Sequence, residues 1–201
     1  MKKNIDLKTK ILNESFRLFL TENFEKVTIE DIEKATNRTR GAIFYHFKNK
    51  QHLFETIIKD IYFAEMKKFN SAINLPVDIQ YFFDEYKSPC ERIISHIKTF
   101  DKEINAEKAF FHLTLQASMY YPNFDAIYSK IANEEHILLS NILSHSINNI
   151  SNNDLKDIIY LFLNISYSNT FNNAFSSLKN RSVSIPYLND KSNIKKIIYH
   201  S

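Results

Sequence analysis

Gly41 is the only glycine in a chain of 201 residues. Hairpins and tight turns use glycine for backbone conformations with positive φ, and phosphate-cradling loops use it to let backbone approach an anion. A chain with one glycine is therefore expected to be all-α. Glycine-rich nucleotide loops, GxGxxG and the Walker type alike, are excluded. Hydrophobic residues make up 44% of the chain, enough for a substantial core, and the 17 Phe and 11 Tyr make that core aromatic.

Apolar periodicity and capping residues divide the chain into helices. Leu7, Ile11, Leu12, Ser15, Phe16, Phe19 and Leu20 form one stripe of a helix over about 7–22. Thr28 is placed to cap a short second helix, with Asp31 at its third position and Val27 able to pack on Ile32. That helix ends near Ala35 or Thr36, and Asn37 stands where the chain must turn. Thr39 caps a third helix reaching about Phe47, with Ile43 and Phe47 on its core side, and Arg40, Ala42 and Tyr45 away from it. Long helices follow over about 50–75, 88–104, 106–121, 123–147 and 154–178. Ser88-Pro89-Cys90-Glu91 opens the second of these with a capping box. A loop with Pro186 precedes a short last helix over about 190–199. The expected organisation is a helix-turn-helix domain over 1–50 and a larger helical domain over 51–201.

Charge is uneven along this organisation. Residues 1–50 carry eleven Lys and Arg against seven Asp and Glu, whereas the rest carry fifteen against sixteen. Nothing acidic occurs over 34–50, where Lys34, Arg38, Arg40, Lys48 and Lys50 cluster. A solvated charge run would look the same, but a basic spot beside a neutral body also suits an anionic partner. Two short helices around a turn suit double-stranded DNA, since the second can enter a major groove about 12 Å wide. Gly41 adds to this reading. It sits in the first turn of the third helix, where Gly costs about 1 kcal/mol relative to Ala. Close approach of the backbone to DNA, or of one helix to another, would justify that cost.

At this point the residues resemble a known family. Thr28-Ile29-Glu30-Asp31-Ile32-Glu33-Lys34-Ala35, followed by Thr39-Arg40-Gly41-Ala42-Ile43-Phe44-Tyr45-His46-Phe47-Lys48-Asn49-Lys50-Gln51-His52-Leu53, is similar to the N-terminal stretch of the tetracycline-repressor (TetR) family over about residues 7–57. Four positions depart from the family pattern. Thr36-Asn37-Arg38 replaces a usual Ala-Gly-Val turn, so Asn37 must supply the left-handed residue. Arg38 stands for an apolar residue, and is expected either to face phosphate or to lie over the core. Phe44 stands for a usual Tyr, with Tyr45 beside it.

The resemblance implies a DNA-binding set of Thr28, Arg38, Thr39, Arg40, Gly41, Ala42, Tyr45, His46, Lys48 and Lys50. Arg40 and Ala42 are candidates for base readout. Tyr45 and His46 could touch base edges or phosphates. Thr28, Thr39 and Lys50 are placed to hold the DNA backbone. It also implies a homodimer on a palindromic operator and a small-molecule effector bound among the middle helices. Phe100, Phe110, Phe111, His112, Gln116, Met119, Tyr120 and Tyr167 would give an aromatic wall with a few polar anchors, suited to an apolar or aromatic ligand. The helix near 154–178 is apolar around most of its circumference, which offers Ile158, Phe162 and Ile165 as a dimer interface. Ordinary core packing is the competing reading for all of these.

Other chemistry finds little support. There is no HExxH or CxxC, and His96, His112, His136 and His145 lack paired ligand spacing, so no metal, cofactor or catalytic set is expected. Cys90 is the only cysteine; a helix N-terminus would lower its pKa toward a redox-sensing thiol, and an inert core thiol is the alternative. No stretch is long and apolar enough for a signal peptide or a membrane span, Ile158 to Leu163 being the most apolar, so a cytoplasmic protein is expected. The expected function is a ligand-released transcriptional repressor. The alternative is a dimeric ligand-binding or interaction protein whose head, with Arg38 and Phe44, has lost sequence-specific DNA binding.

Overall fold

A computed structural model describes residues 6–68, 75–78, 82, 85–147 and 149–175. Every regular element among them is helical. The head comprises α1 (Leu7–Thr21), α2 (Ile29–Thr36) and α3 (Arg40–His46). Helix α4 (Lys50–Ile57) leaves the head and continues through a π-helical stretch (Ile58–Phe63) into a last α turn (Ala64–Met66). The body adds α5 (Pro89–Phe100), α6 (Ala106–Tyr120), α7 (Phe124–Ser146) and α8 (Asn152–Ala174). The helices expected to reach 75 and 178 end earlier, at Met66 and Ala174, and the expected helix over 190–199 and the loop at Pro186 lie outside the described residues.

Local capping sets most boundaries. Thr28 and Asp31 close a capping box on α2, and Ser88 and Glu91 close another on α5. Asn37 takes the left-handed conformation, φ 52°, and lets Arg38 donate its N–H to Glu33 O at 3.1 Å. The expected helix over 88–104 stops at Phe100. The Asp101 side chain accepts the Glu103 N–H at 2.9 Å and turns the chain, and Asn105 then caps α6. The π stretch was not expected from apolar spacing. Its wider turns let Ile58, Ile61, Tyr62 and Phe63 all be buried, and Tyr62 reaches the Thr114 hydroxyl of α6 at 2.7 Å.

One apolar cluster runs from Ile11, Phe16, Phe19 and Phe47 in the head, through Leu53, Phe54, Ile57 and Ile58 on α4, to Tyr62, Phe110 and Leu113 in the body. A second cluster joins Leu139 and Leu143 of α7 to Leu155, Ile159 and Phe162 of α8. Ile158, Phe162 and Ile165 are buried within this one chain, at 4%, 0% and 2% exposure, so they serve its own core. The large apolar side chains that α7 and α8 leave in solvent are Ile137, Tyr160 and Phe171. Cys90 is also core: burial pushes its thiol pKa up, the reverse of the lowering that its helix position suggested. Among the described residues no helix is long and apolar enough to cross a membrane.

A buried ion pair fixes α5 against α7. Arg92 bonds Glu135 through two nitrogens, at 2.8 and 3.2 Å, and donates to Met66 O at 3.0 Å and Lys87 O at 3.1 Å. The Tyr86 hydroxyl also donates to Glu135. Removing one member of such a pair strands the other charge in the interior. Glu135→Leu is expected to destabilise the fold by about 3–5 kcal/mol. Urea unfolding should show this as a lower midpoint with an unchanged slope.

Candidate nucleic-acid interface

Helix α3 is held from behind and open in front. Ile43 and Phe47 are buried in the head core, while Arg38, Thr39, Arg40, Gly41 and Lys48 are exposed and Ala42 and His46 half-buried. Tyr45 is 85% exposed, with its ring edge-on to His46 at 5.0 Å. An aromatic ring so far in water makes almost no contribution to packing and is available to a partner. Arg38 faces solvent and does not cover the core.

Gly41 is informative through what surrounds it. A Cβ built there meets nothing within 4 Å. Close approach of one helix to another is thereby excluded as the reason for this glycine, and the open space lies outside the chain's own packing. Thr28 is exposed and spends its hydroxyl on Asp31, donating to Oδ2 at 2.7 Å and accepting the Asp31 N–H at 3.2 Å. The Thr28 backbone N–H, donating to the same Oδ2 at 2.9 Å, and then the Thr28 hydroxyl hold the Asp31 carboxyl below its ordinary pKa.

Two expected contact residues are engaged inside the protein. Lys50 does not extend outward. Its Nζ donates to Phe24 O at 2.7 Å and Val27 O at 2.9 Å and lies 4.4 Å from the centre of the Phe24 ring. Burial lowers its pKa, with Glu25 acting in the opposite sense. Arg40 pairs its guanidinium with Glu30, and its backbone N–H donates to Glu33 at 2.5 Å. Both carboxylates come from α2, and the sequence reading missed them because it followed the acid-free run over 34–50. Their spacing, three residues apart on the helix packed before α3, was the available signal.

The eight residues expected around an effector do not form one wall. Gln116 is buried and joins α6 to the head. Its Oε1 accepts the Phe24 N–H at 2.5 Å, and its Nε2 donates to Phe19 O at 3.1 Å and His112 Nδ1 at 3.0 Å. Because Nδ1 accepts, the His112 ring proton sits on Nε2 and points at Asn23 Oδ1, 2.9 Å away. Tyr120 stacks near Phe24 at 4.6 Å and donates its hydroxyl to Glu25 at 2.7 Å. Phe100 packs on Phe16 of α1 at 5.1 Å. Four of the eight thus serve the joint between head and body. Phe111 lies elsewhere, against Phe171 and Phe175, and the Tyr167 hydroxyl is 3.4 Å from that of Tyr128. Met119 is largely exposed.

A three-helix head with an outward third helix, joined through α4 and its π-helical continuation to a helical body, defines a helix-turn-helix architecture. Residues 11–57 match the family model for bacterial regulatory proteins of the tetR family. The biofilm operon icaADBC HTH-type negative transcriptional regulator IcaR of Staphylococcus epidermidis is 27% identical over 79 residues, 38% of this chain and 43% of that protein. The HTH-type transcriptional repressor AcnR of Corynebacterium efficiens is 34% identical over 58 residues, 29% of this chain and 31% of that one. The matched stretches thus span less than half the length of these curated relatives. A putative tetR family transcription regulator from Shewanella sp. PV-4 has the same fold, with a TM-score of 0.50 at 13% identity over 98% of this chain and 97% of that one. Over this N-terminal stretch the chain is similar to bacterial regulatory proteins of the tetR family.

Gly41→Ala separates packing from recognition. With open space around the new methyl group, the head should gain about 1 kcal/mol from helix propensity alone. If the open space is kept for a duplex, the same variant should bind DNA more weakly while melting at a higher temperature. Higher melting with unchanged DNA affinity would show that Gly41 has no role in recognition.

Proposed function

We propose that this chain is a sequence-specific DNA-binding transcriptional regulator, a repressor that acts as a homodimer on a palindromic site. The observation that carries this reading is the outer face of α3. Tyr45 stands almost wholly in solvent beside the open space at Gly41, with Arg38, Arg40 and Lys48 exposed around them. Arg40 and Ala42 read base edges, and Tyr45 and His46 contact bases or phosphates. Thr28, Thr39, Arg38 and Lys48 position the backbone of the duplex. Lys50 supports the reading helix from behind by holding the turn before α2. The dimer forms through α7 and α8, where Ile137 and Tyr160 are 52% and 68% exposed, and two heads then meet two half-sites.

A small apolar or aromatic effector in the body releases the DNA. Helix α6 supports this role because it faces both ways. Phe110 and Thr114 contact Tyr62 in the body, and His112, Gln116 and Tyr120 grip Asn23, Phe24 and Glu25 in the head. A ligand that favours a shifted α6 therefore favours a shifted head, and effector and DNA oppose each other by the same free energy. A second reading, a dimeric ligand-binding or interaction protein with an impaired head, draws on the engagement of Arg40 and Lys50 within the protein.

Footprinting on the DNA upstream of the chain's own gene distinguishes the two. The repressor reading requires a protected palindrome, an affinity that falls steeply with salt, and a loss of about 1–3 kcal/mol with relaxed specificity for Arg40→Ala. A folded dimer that protects nothing at low salt supports the second reading.

A further inference from the structure

The pairing of Arg40 with α2 has a consequence for how the head reads DNA, and the inference rests on the DNA-binding reading above. Glu30 and Glu33 lie one turn apart on α2 and both meet Arg40: Glu30 takes the guanidinium, and Glu33 takes the backbone N–H at 2.5 Å. The Arg40 and Glu30 side chains are 56% and 57% exposed, so the pair adds little to stability. The carboxylate stays charged, because its own backbone N–H and then Arg40 lower the Glu30 pKa.

Such a pair matters at an interface with DNA. A free arginine on an exposed helix is long, mobile and attracted to the nearest phosphate, which carries no sequence information. An arginine anchored by a carboxylate behaves differently. Its charge is locally compensated, which reduces its pull toward phosphate. Its orientation is biased toward α2, and its remaining N–H groups keep the fork geometry that matches the O6 and N7 of guanine. Glu33 and Thr39 also occupy the first free N–H groups of α3, leaving those donors unavailable to phosphate.

We propose that Glu30 is a positioning residue for base readout: it holds and neutralises the Arg40 guanidinium so that Arg40 discriminates between bases and does not adhere to phosphate. Removing the Glu30 charge releases Arg40 to the DNA backbone. Binding to any duplex then strengthens, and the preference for the correct one weakens.

Charge removal near DNA strengthens binding whatever its target, so the test is a double-mutant cycle on specificity. The full chain, as wild type, Glu30→Gln, Arg40→Ala and the double variant, is titrated with two probes at several salt concentrations. One probe is the duplex that the wild type enriches from a random-sequence pool; the other is the unselected pool. Glu30→Gln is expected to bind the pool more tightly, with a salt slope steeper by about one unit per head. The ratio of selected to unselected affinity should fall about tenfold. In the Arg40→Ala background the same substitution should leave that ratio unchanged. An equal change in both backgrounds, or no change in either, overturns the role of Glu30 and leaves the repressor reading standing. A wild type that enriches no duplex and binds none at low salt overturns both.

Discussion

The hydrogen bond from the Phe24 N–H to the Gln116 side chain is the contact on which the placement of the head depends. The turn between α1 and α2 pairs the Glu22, Lys26 and Val27 N–H groups with its own or α1 carbonyls, and its remaining polar groups are met from outside. Gln116 meets the Phe24 N–H and the Phe19 carbonyl, and Lys50 meets the Phe24 and Val27 carbonyls. The carbonyl and the amine of Gln116 are both used, and the residue is buried, so losing this side chain would strand the Phe24 N–H and the Phe19 carbonyl. The turn is thereby clasped between α6 and α4, and Phe24 fills the space between them with its ring on Tyr120 and Phe54. Both sides of the clasp belong to helices that also reach the body's interior.

That arrangement explains why cations in this head divide into two kinds. Lys50 is a structural cation. Its charge is spent on carbonyl oxygens and an aromatic face, and desolvation lowers its pKa. Arg38 and Lys48 remain outside, in water. Arg40 lies between these cases, exposed yet paired. A count of basic residues treats all four alike, and only their partners separate the ones that hold the head together from the ones that face outward.

Features set by near neighbours were legible in the sequence. Thr28, Thr39, Asn37 and Ser88 each act within three or four residues, and each stands at the helix end where it was expected. Features set across the chain were not. Gln116 and His112 were expected as polar anchors of an effector pocket; they bond each other on one helix face, but that face turns to the head, 92 residues earlier for the bond to Phe24. Ile158, Phe162 and Ile165 were offered to a partner subunit because an all-round apolar helix must be covered. Residues of the same chain cover them, α7 among the contributors. Apolar pattern reports that a side chain is buried but not by what. The π stretch escaped for a related reason: a window tuned to regular helical spacing reads Ile61, Tyr62 and Phe63 as a wide stripe, not as a local change of pitch.

The apolar cluster that passes without a gap from Phe16 and Phe47 through Leu53, Phe54 and Ile58 to Tyr62 and Phe110 makes the head less modular than its sequence similarity suggests. The boundary of a recognisable sequence domain and the boundary of a cooperative folding unit need not coincide. A fragment ending at Lys50 would lose Leu53, Phe54 and Ile57 from its core along with the grip of α6. A chimera that exchanges recognition helices between relatives must therefore take α4 and the head-facing side of α6 with the graft, or else replace α3 alone and leave the seam intact. The seam limits how freely heads and bodies can be recombined.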